Sequence, residues 1–336
     1  MKLDFEKIKE ICTGAVRIER EGEGVRFYRF SEKQEALYKE RRDDFYAKSF
    51  ATAGVRLSFR TDSKALCLRG ETMSSRSRAY YSIDVFADGR PVGYIDNFSS
   101  AELPLDYTKT ELTFGLFRGE FALGEGDKEV TVYLPWSVIT RIDEISVDDG
   151  AYVQPLMPKK TLLAFGDSIT QGYDALRSSN RYTARLCDAL SLSEINKAIG
   201  GEIFWGELAS EREDIIPDYI TVAYGTNDWS FVQSEEMKES CREFFSSLRK
   251  NYPEAKIFAI TPIWRKDRTE ERKYGDFLSV AGDIREAADG FGVIFIDGLD
   301  FVPKEEKYFA DLRLHPNDEG FEYYFNNLLA KIKENI

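Results

Sequence analysis

Apolar and polar residues alternate with a period of two along much of the first 147 residues, and that pattern predicts short strands. Gly54-Val55-Arg56-Leu57-Ser58-Phe59-Arg60 alternates, turns at Thr61-Asp62-Ser63, and resumes as Ala65-Leu66-Cys67-Leu68. Tyr81 to Phe86 runs into Asp88-Gly89, a hairpin dipeptide, before Val92 to Ile95. Thr110 to Phe117 and Glu129 to Leu134 repeat the alternation, with Gly124 to Asp127 between them. Residues from about 14 to 147 therefore read as strands of an antiparallel β-sandwich, jelly-roll-like, filling residues 1–150.

The period changes near Gly150. Residues 151–160 hold Pro155 and Pro158 and read as a short linker. Beyond it, apolar runs at 161–165, 193–197, 218–224, 256–261 and 293–297 predict buried strands. Helical patterns fall between and after them, near 178–190, 203–210, 234–250, 275–289 and 317–334, the last with Asp318 as its N-cap. Strands alternating with helices predict βαβ units, so residues 161–336 form an α/β domain on a doubly wound parallel sheet.

Composition narrows the function more than the fold. The 336 residues carry 46 Lys and Arg against 59 Asp and Glu, a net charge of −13. That field opposes nucleic acid and anionic membrane surfaces. No apolar run reaches the length of a membrane span, and the amino terminus reads as no signal peptide. Cys12, Cys67, Cys187 and Cys241 stand far apart, so reduced thiols and a cytoplasmic location are expected. His315 is the single histidine, which argues against a metal site.

Four stations of the second domain fall at ends of predicted strands or at the head of the last helix. They are Ser168, Gly200-Gly201, Gly225-Thr226-Asn227-Asp228 and His315. In a parallel sheet the carboxyl ends of all strands share one edge, so these stations converge across nearly 150 positions. Each alone has a plainer explanation: a βα turn capped by serine, a glycine turn, a loop with Asn227 left-handed, a surface histidine. Together they supply the parts of an acyl-transfer site. Ser168 is the candidate nucleophile and His315 the candidate general base, an imidazole suiting proton transfer near neutrality. The amides of Ser168 and Gly201 and the side chain of Asn227 are candidate oxyanion donors. Trp205 and Trp229 follow the second and third stations closely and Trp264 follows the fourth strand; all three are candidate walls of a substrate pocket.

The motifs GDSIT, YGTND and RLHPND together resemble the GDSL or SGNH hydrolases, whose four hallmark residues align with Ser168, Gly201, Asn227 and His315. Gly201 rather than Gly200 is matched because the family places that donor five residues beyond an asparagine-type strand residue, here Asn196. The resemblance covers about 160–336 and implies a flavodoxin-like sheet and ester hydrolysis without a cofactor. Residues before 150 are similar in texture to the β-sandwich that precedes the catalytic domain of acetyl-sugar esterases, notably the second carbohydrate-esterase family. There the resemblance implies removal of a small acyl group, acetyl first, from a small-molecule or oligosaccharide ester; the sandwich is expected to supply a wall of the site or to contact the sugar. One departure stands out. The family's orienting aspartate lies three residues before the histidine, where this chain has Leu312; Asp311 lies four before. Either Asp311 completes a triad or the site is a Ser-His dyad. A lipase or thioesterase for longer acyl chains and a non-catalytic sugar-binding protein are the alternative functions.

Overall fold

The computed structural model describes residues 1–101 and 112–336. The chain forms two compact units, Met1–Lys159 together with Leu176–Ser179, and Lys160–Ala175 together with Asn180–Ile336.

The first unit holds two antiparallel sheets. One orders β1 (Cys12–Thr13), β4 (Arg56–Thr61), β9 (Lys128–Tyr133), β6 (Ser82–Ala87) and β7 (Arg90–Asp96), with β11 (Gln154–Pro155) beside β4. The other orders β2 (Arg17–Glu21), β3 (Gly24–Tyr28), β10 (Val138–Val147), β5 (Ala65–Ser74) and β8 (Gly115–Ala122). Eight of these, β3 to β10, divide into two four-stranded sheets in jelly-roll order. The period-two pattern explains the layering: Leu57, Phe59, Val85 and Val132 of one sheet share a core with Phe27, Leu66, Leu68 and Ile142 of the other. Asp88 and Gly89 join β6 to β7 with φ of 48° and 71°, the left-handed pair of a two-residue hairpin.

Residues 32–49 correct the all-strand expectation. They form α2 (Glu32–Arg41) and α3 (Asp43–Ser49), after α1 (Phe5–Ile11) at the amino end. Ser31 and Gln34 make a reciprocal capping box that starts α2. Its sequence is polar almost all round, but Tyr38 is buried edge-on against Phe30 and Phe45, which holds the pair of helices down. Of the strand expected at 110–117, residues 110 and 111 lie outside the described residues, and the observed strand is β8. In the expected linker, Gln154 and Pro155 pair with Arg60 and Phe59.

Four residues reach the first unit from far along the chain. Arg177 bonds Asp96 at 2.6 Å and the Ser82 hydroxyl at 2.9 Å, and lies over the Tyr94 ring. Ser178 donates to the Ser82 carbonyl, and the Ser179 amide donates to the buried Asp84 carboxylate at 2.7 Å. Burial pushes the Asp84 carboxyl up, against the pull of Ser82 and Ser179.

The second unit is a five-stranded parallel sheet of β12 (Lys160–Gly166), β13 (Leu192–Asn196), β14 (Tyr219–Ala223), β15 (Lys256–Ile260) and β16 (Val293–Ile296). Their spatial order is β13-β12-β14-β15-β16, the flavodoxin-like order. Helices are α4 (Ser168–Gln171), α5 (Tyr182–Leu190), α6 (Gly206–Ser210), α7 (Thr226–Phe231), α8 (Ser234–Asn251), α9 (Ser279–Ala288) and α10 (Asp318–Lys333). Met237, Cys241, Phe244, Phe245 and Leu248 recur at helical spacing and form the buried stripe of α8, with Phe244 meeting Phe165 of β12 edge-on. On α10, Tyr324 stacks on Tyr182 of α5 at 4.2 Å. The expected N-cap Asp318 is instead the first helical residue; Asn317 caps α10 through the Gly320 amide. Strand order reverses at β12, so the crevice of this fold opens beyond the carboxyl ends of β12 and β14.

Candidate active site

Ser168 stands where β12 ends. Asp167 caps α4 by accepting the Ile169 amide at 2.9 Å, and Gly172 closes that single turn with φ of 116°. A Cβ on Gly166 would lie 2.3 Å from the Thr170 hydroxyl, so only glycine lets the turn fold back so tightly. The Ser168 hydroxyl lies 2.8 Å from His315 Nε2. On the far side of the ring, His315 Nδ1 lies 2.8 Å from Asp311 Oδ2.

The four-residue spacing from Asp311 to His315 is accommodated by Leu312. Its φ of 55° is left-handed and the residue is 56% exposed, so the extra residue bulges outward. Asp311 Oδ1 then accepts the amides of Arg313, Leu314 and His315 at 3.0, 2.7 and 3.1 Å. Burial pushes this carboxyl up, but the bond to His315 and the backbone amides outweigh it and hold it well below the usual carboxylate range.

The loop after β13 carries the glycines. Asn196 fixes it, donating to the Thr170 carbonyl and accepting the Ala198 amide. The Gly200 amide donates to the buried Gln171 side chain at 2.8 Å, and a Cβ on Gly200 would strike the Tyr173 ring at 2.5 Å. Gly201 follows with φ of 93°. The YGTND segment is helical rather than a loop: Gly225, at φ of 114°, precedes α7, and Asn227 lies in its first turn. Asp228 accepts the amides of Gly225 and Phe204 at 2.9 and 3.1 Å, tying that head to the glycine loop. Burial pushes the Asp228 carboxyl up to about 7 despite those amides. The Asn227 amide donates to the Glu202 carbonyl at 2.9 Å, which uses one of its two N–H groups.

The three tryptophans separate. Trp229 is fully buried, gives its N–H to the Gly275 carbonyl, and packs edge-on against Phe277, so it is a core residue with no face for a ligand. Trp264 is likewise buried, beside Phe309. Trp205 is only half-buried. Three features went unforeseen. Tyr173 lies 5.6 Å from the His315 ring, centroid to centroid. Asp174, fully buried, brings Oδ2 to 3.6 Å from His315 Nδ1. Arg265, also buried, donates to the Thr226 carbonyl beside Asn227 and to Asp267, which in turn receives Arg313 near His315. Tyr173 and Asp174 have one signal in the sequence, their place in the turn that carries Ser168, and Arg265 has none.

Among the described residues, Asp174, Asp311 and His315 bring one ligand atom each within 4.8 Å of one another. The ring nitrogens of that histidine already face Ser168 and Asp311. The four cysteines are free thiols, and no helix among the described residues is long and apolar enough to cross a membrane.

No curated protein matches the sequence. Among solved structures, a Bacteroides ovatus protein described as a GDSL-like lipase superposes with a TM-score of 0.79 at 20% identity, over 99% of this chain and 97% of its own. A salicylyl-acyltransferase from a tetracycline biosynthetic pathway gives 0.77 at 18%, over 96% and 94%. A family two carbohydrate esterase from Cellvibrio japonicus gives 0.61 at 18%, over 87% and 92%. At these identities the likeness is one of fold. Residues 164–323 match the model of the GDSL-like lipase/acylhydrolase family, and Ser168, Gly201, Asn227 and His315 all fall within them. Over residues 164–323 the chain is thus similar to the GDSL-like lipase/acylhydrolase family, whose model those residues match.

Proposed function

We propose that this protein is a serine esterase that removes a small acyl group, acetyl first, from a carbohydrate. The observation that carries the reading is the line of hydrogen bonds from Ser168 Oγ to His315 Nε2 and from His315 Nδ1 to Asp311, each 2.8 Å. In this reading Ser168 Oγ attacks the ester carbonyl while its proton passes to Nε2. Asp311 holds the other ring proton, which fixes the tautomer and stabilises the imidazolium. The tetrahedral oxyanion is met by the amides of Ser168 and Gly201 and by the N–H of Asn227 not engaged with Glu202. The intermediate then collapses with cleavage of the carbonyl–sugar oxygen bond, His315 giving its proton to that oxygen so that it leaves as a hydroxyl, and water resolves the acyl-enzyme by the same steps in reverse.

Support for the sugar comes from the resemblance to acetyl-sugar esterases and from the fold shared with family two carbohydrate esterases, one solved in complex with cellohexaose. Trp205 remains a candidate wall. The test compares hydrolysis of 4-nitrophenyl acetate, butyrate and octanoate, followed by a panel of acetylated oligosaccharides. A pocket shaped for acetyl tolerates extra methylenes badly, so kcat/KM should fall steeply along the series. Comparable or rising rates on octanoate would make the protein a lipase or thioesterase, and no hydrolysis of any ester would leave a sugar-binding protein.

A further inference from the structure

His315 Nδ1 faces two carboxylates, not one. Asp311 Oδ2 lies at 2.8 Å and Asp174 Oδ2 at 3.6 Å. They arrive from opposite ends of the domain, Asp174 from the turn after Ser168 and Asp311 from the loop before α10. Asp174 has no exposed side-chain surface, whereas the Asp311 side chain keeps 20%. The Asp174 backbone is also unusual, with φ of 70°, a conformation that costs a non-glycine residue free energy. A buried carboxylate held that way, beside the imidazole, points to a role in the site. The other groups around the ring are the Ser168 hydroxyl on Nε2, the Tyr173 ring, and Asp167, whose charge acts on the ring through space. Arg265 faces Asp167 from the loop after β15.

We propose that Asp174 is a second carboxylate for His315, a positioning residue that shares the Nδ1 proton with Asp311 and helps hold the imidazolium; the idea rests on the Ser-His reading above. During attack the Ser168 proton moves to Nε2 and the Oγ–carbonyl bond forms, so the ring gains one positive charge while Nδ1 keeps its proton. Two anions then face one cation.

The geometry of Asp311 gives this a sharp consequence. Its Oδ1 is occupied by three backbone amides, so in Asp311→Asn the amide oxygen stays there and the NH2 turns to Nδ1. An NH2 can only donate, which favours the wrong tautomer and, in a triad with a single orienter, costs about 10⁴ in kcat. With Asp174 as a second acceptor the correct tautomer persists, and the loss is held to roughly 10–10².

The experiment measures kcat, KM and the acid limb of kcat/KM on 4-nitrophenyl acetate for the full chain, Asp311→Asn, Asp174→Asn and the double variant, each checked for folding by circular dichroism. Asp174→Gly, which suits the left-handed backbone, stands in if the asparagine variant does not fold. We expect Asp174→Asn to lose about tenfold in kcat with KM nearly unchanged and its acid limb moved to lower pH, since an anion beside the ring is gone. The double variant should lose about 10⁴, more than the product of the single losses, because each carboxylate covers for the other. A 10⁴ loss in Asp311→Asn alone, a double variant equal to the product, or a wild-type kcat and limb in Asp174→Asn each overturns the proposal. Fluorophosphonate labelling that persists in Ser168→Ala overturns the underlying Ser-His reading instead.

Discussion

Asn227→Ala removes two donors with one truncation, and the structure separates their effects. One N–H of the side chain meets the carbonyl of Glu202, a fully buried residue, at 2.9 Å. Stripping a buried acceptor of its donor costs about 1–3 kcal/mol of folding stability. The other N–H is the proposed oxyanion donor, and losing one such donor lowers kcat by about 10²–10³, or about 2.7–4 kcal/mol of transition-state stabilisation. KM should barely move, because the donor serves the tetrahedral oxygen and not the ground-state carbonyl. Urea unfolding reads the first effect, and steady-state hydrolysis of 4-nitrophenyl acetate under conditions where the variant is folded reads the second. Asn227→Asp is the companion, since a carboxylate fills the same space but donates to neither partner. Its kcat should fall at least as far. If Asn227→Ala is less stable yet keeps kcat within roughly threefold of wild type, the side chain is a strut between two loops and the oxyanion is held elsewhere.

Ser168→Ala should leave urea unfolding almost unchanged while abolishing covalent labelling by a fluorophosphonate; labelling at wild-type rate would place the nucleophile on another residue. Leu312→Gly should raise stability by about 0.5–1 kcal/mol, since a left-handed non-glycine residue costs about 1–2 kcal/mol and glycine returns part of that in backbone entropy. With kcat unchanged it would mark Leu312 as a spacer, and a less stable variant would show that the bulge is not strained. Burial pushes the Asp167 carboxyl up to about 6, against the Ile169 amide and the charges of His315 and Arg265. Because the folded state prefers it protonated, its contribution is fully present below about pH 4 and is lost as pH rises through about 6, a swing of roughly 3 kcal/mol. Asp167→Asn can keep the cap on Ile169 and lacks that titration. The stability of wild type relative to this variant should therefore fall between pH 4 and pH 7, and a constant difference would refute the argument.

The parallel sheet was readable because its strands are short apolar runs separated by helical periods, a contrast local enough to survive without tertiary information. So were the places of the four stations, after β12, β13 and β14 and just before α10, because the same apolar runs mark where those elements end. Helices α2 and α3 were not readable. Their pattern is nearly uniform in polarity, and what fixes them is a capping box and the burial of Tyr38, which depends on Phe30 and Phe45 being present. Asp311 could be named but not placed, since whether a carboxylate four residues away reaches the ring turns on the single φ of Leu312. Asp174 is one acid among many in the sequence, and only folding brings it to His315. The tryptophans mark the same limit: residue type predicts a ring, and burial alone tells that Trp229 faces the core.

The excursion of Leu176–Ser179 changes what counts as a separable piece of this protein. A chain cut at Lys159 would contain every strand of the sandwich yet lack the Ser179 amide and the Arg177 guanidinium that satisfy Asp84 and Asp96. On the ribosome the same order holds. The amino-terminal unit cannot be completed when its last strand emerges; it waits until the first strand and the serine turn of the second have been made. The boundary drawn by sequence texture therefore leaves four residues of the first unit, Leu176–Ser179, on its far side.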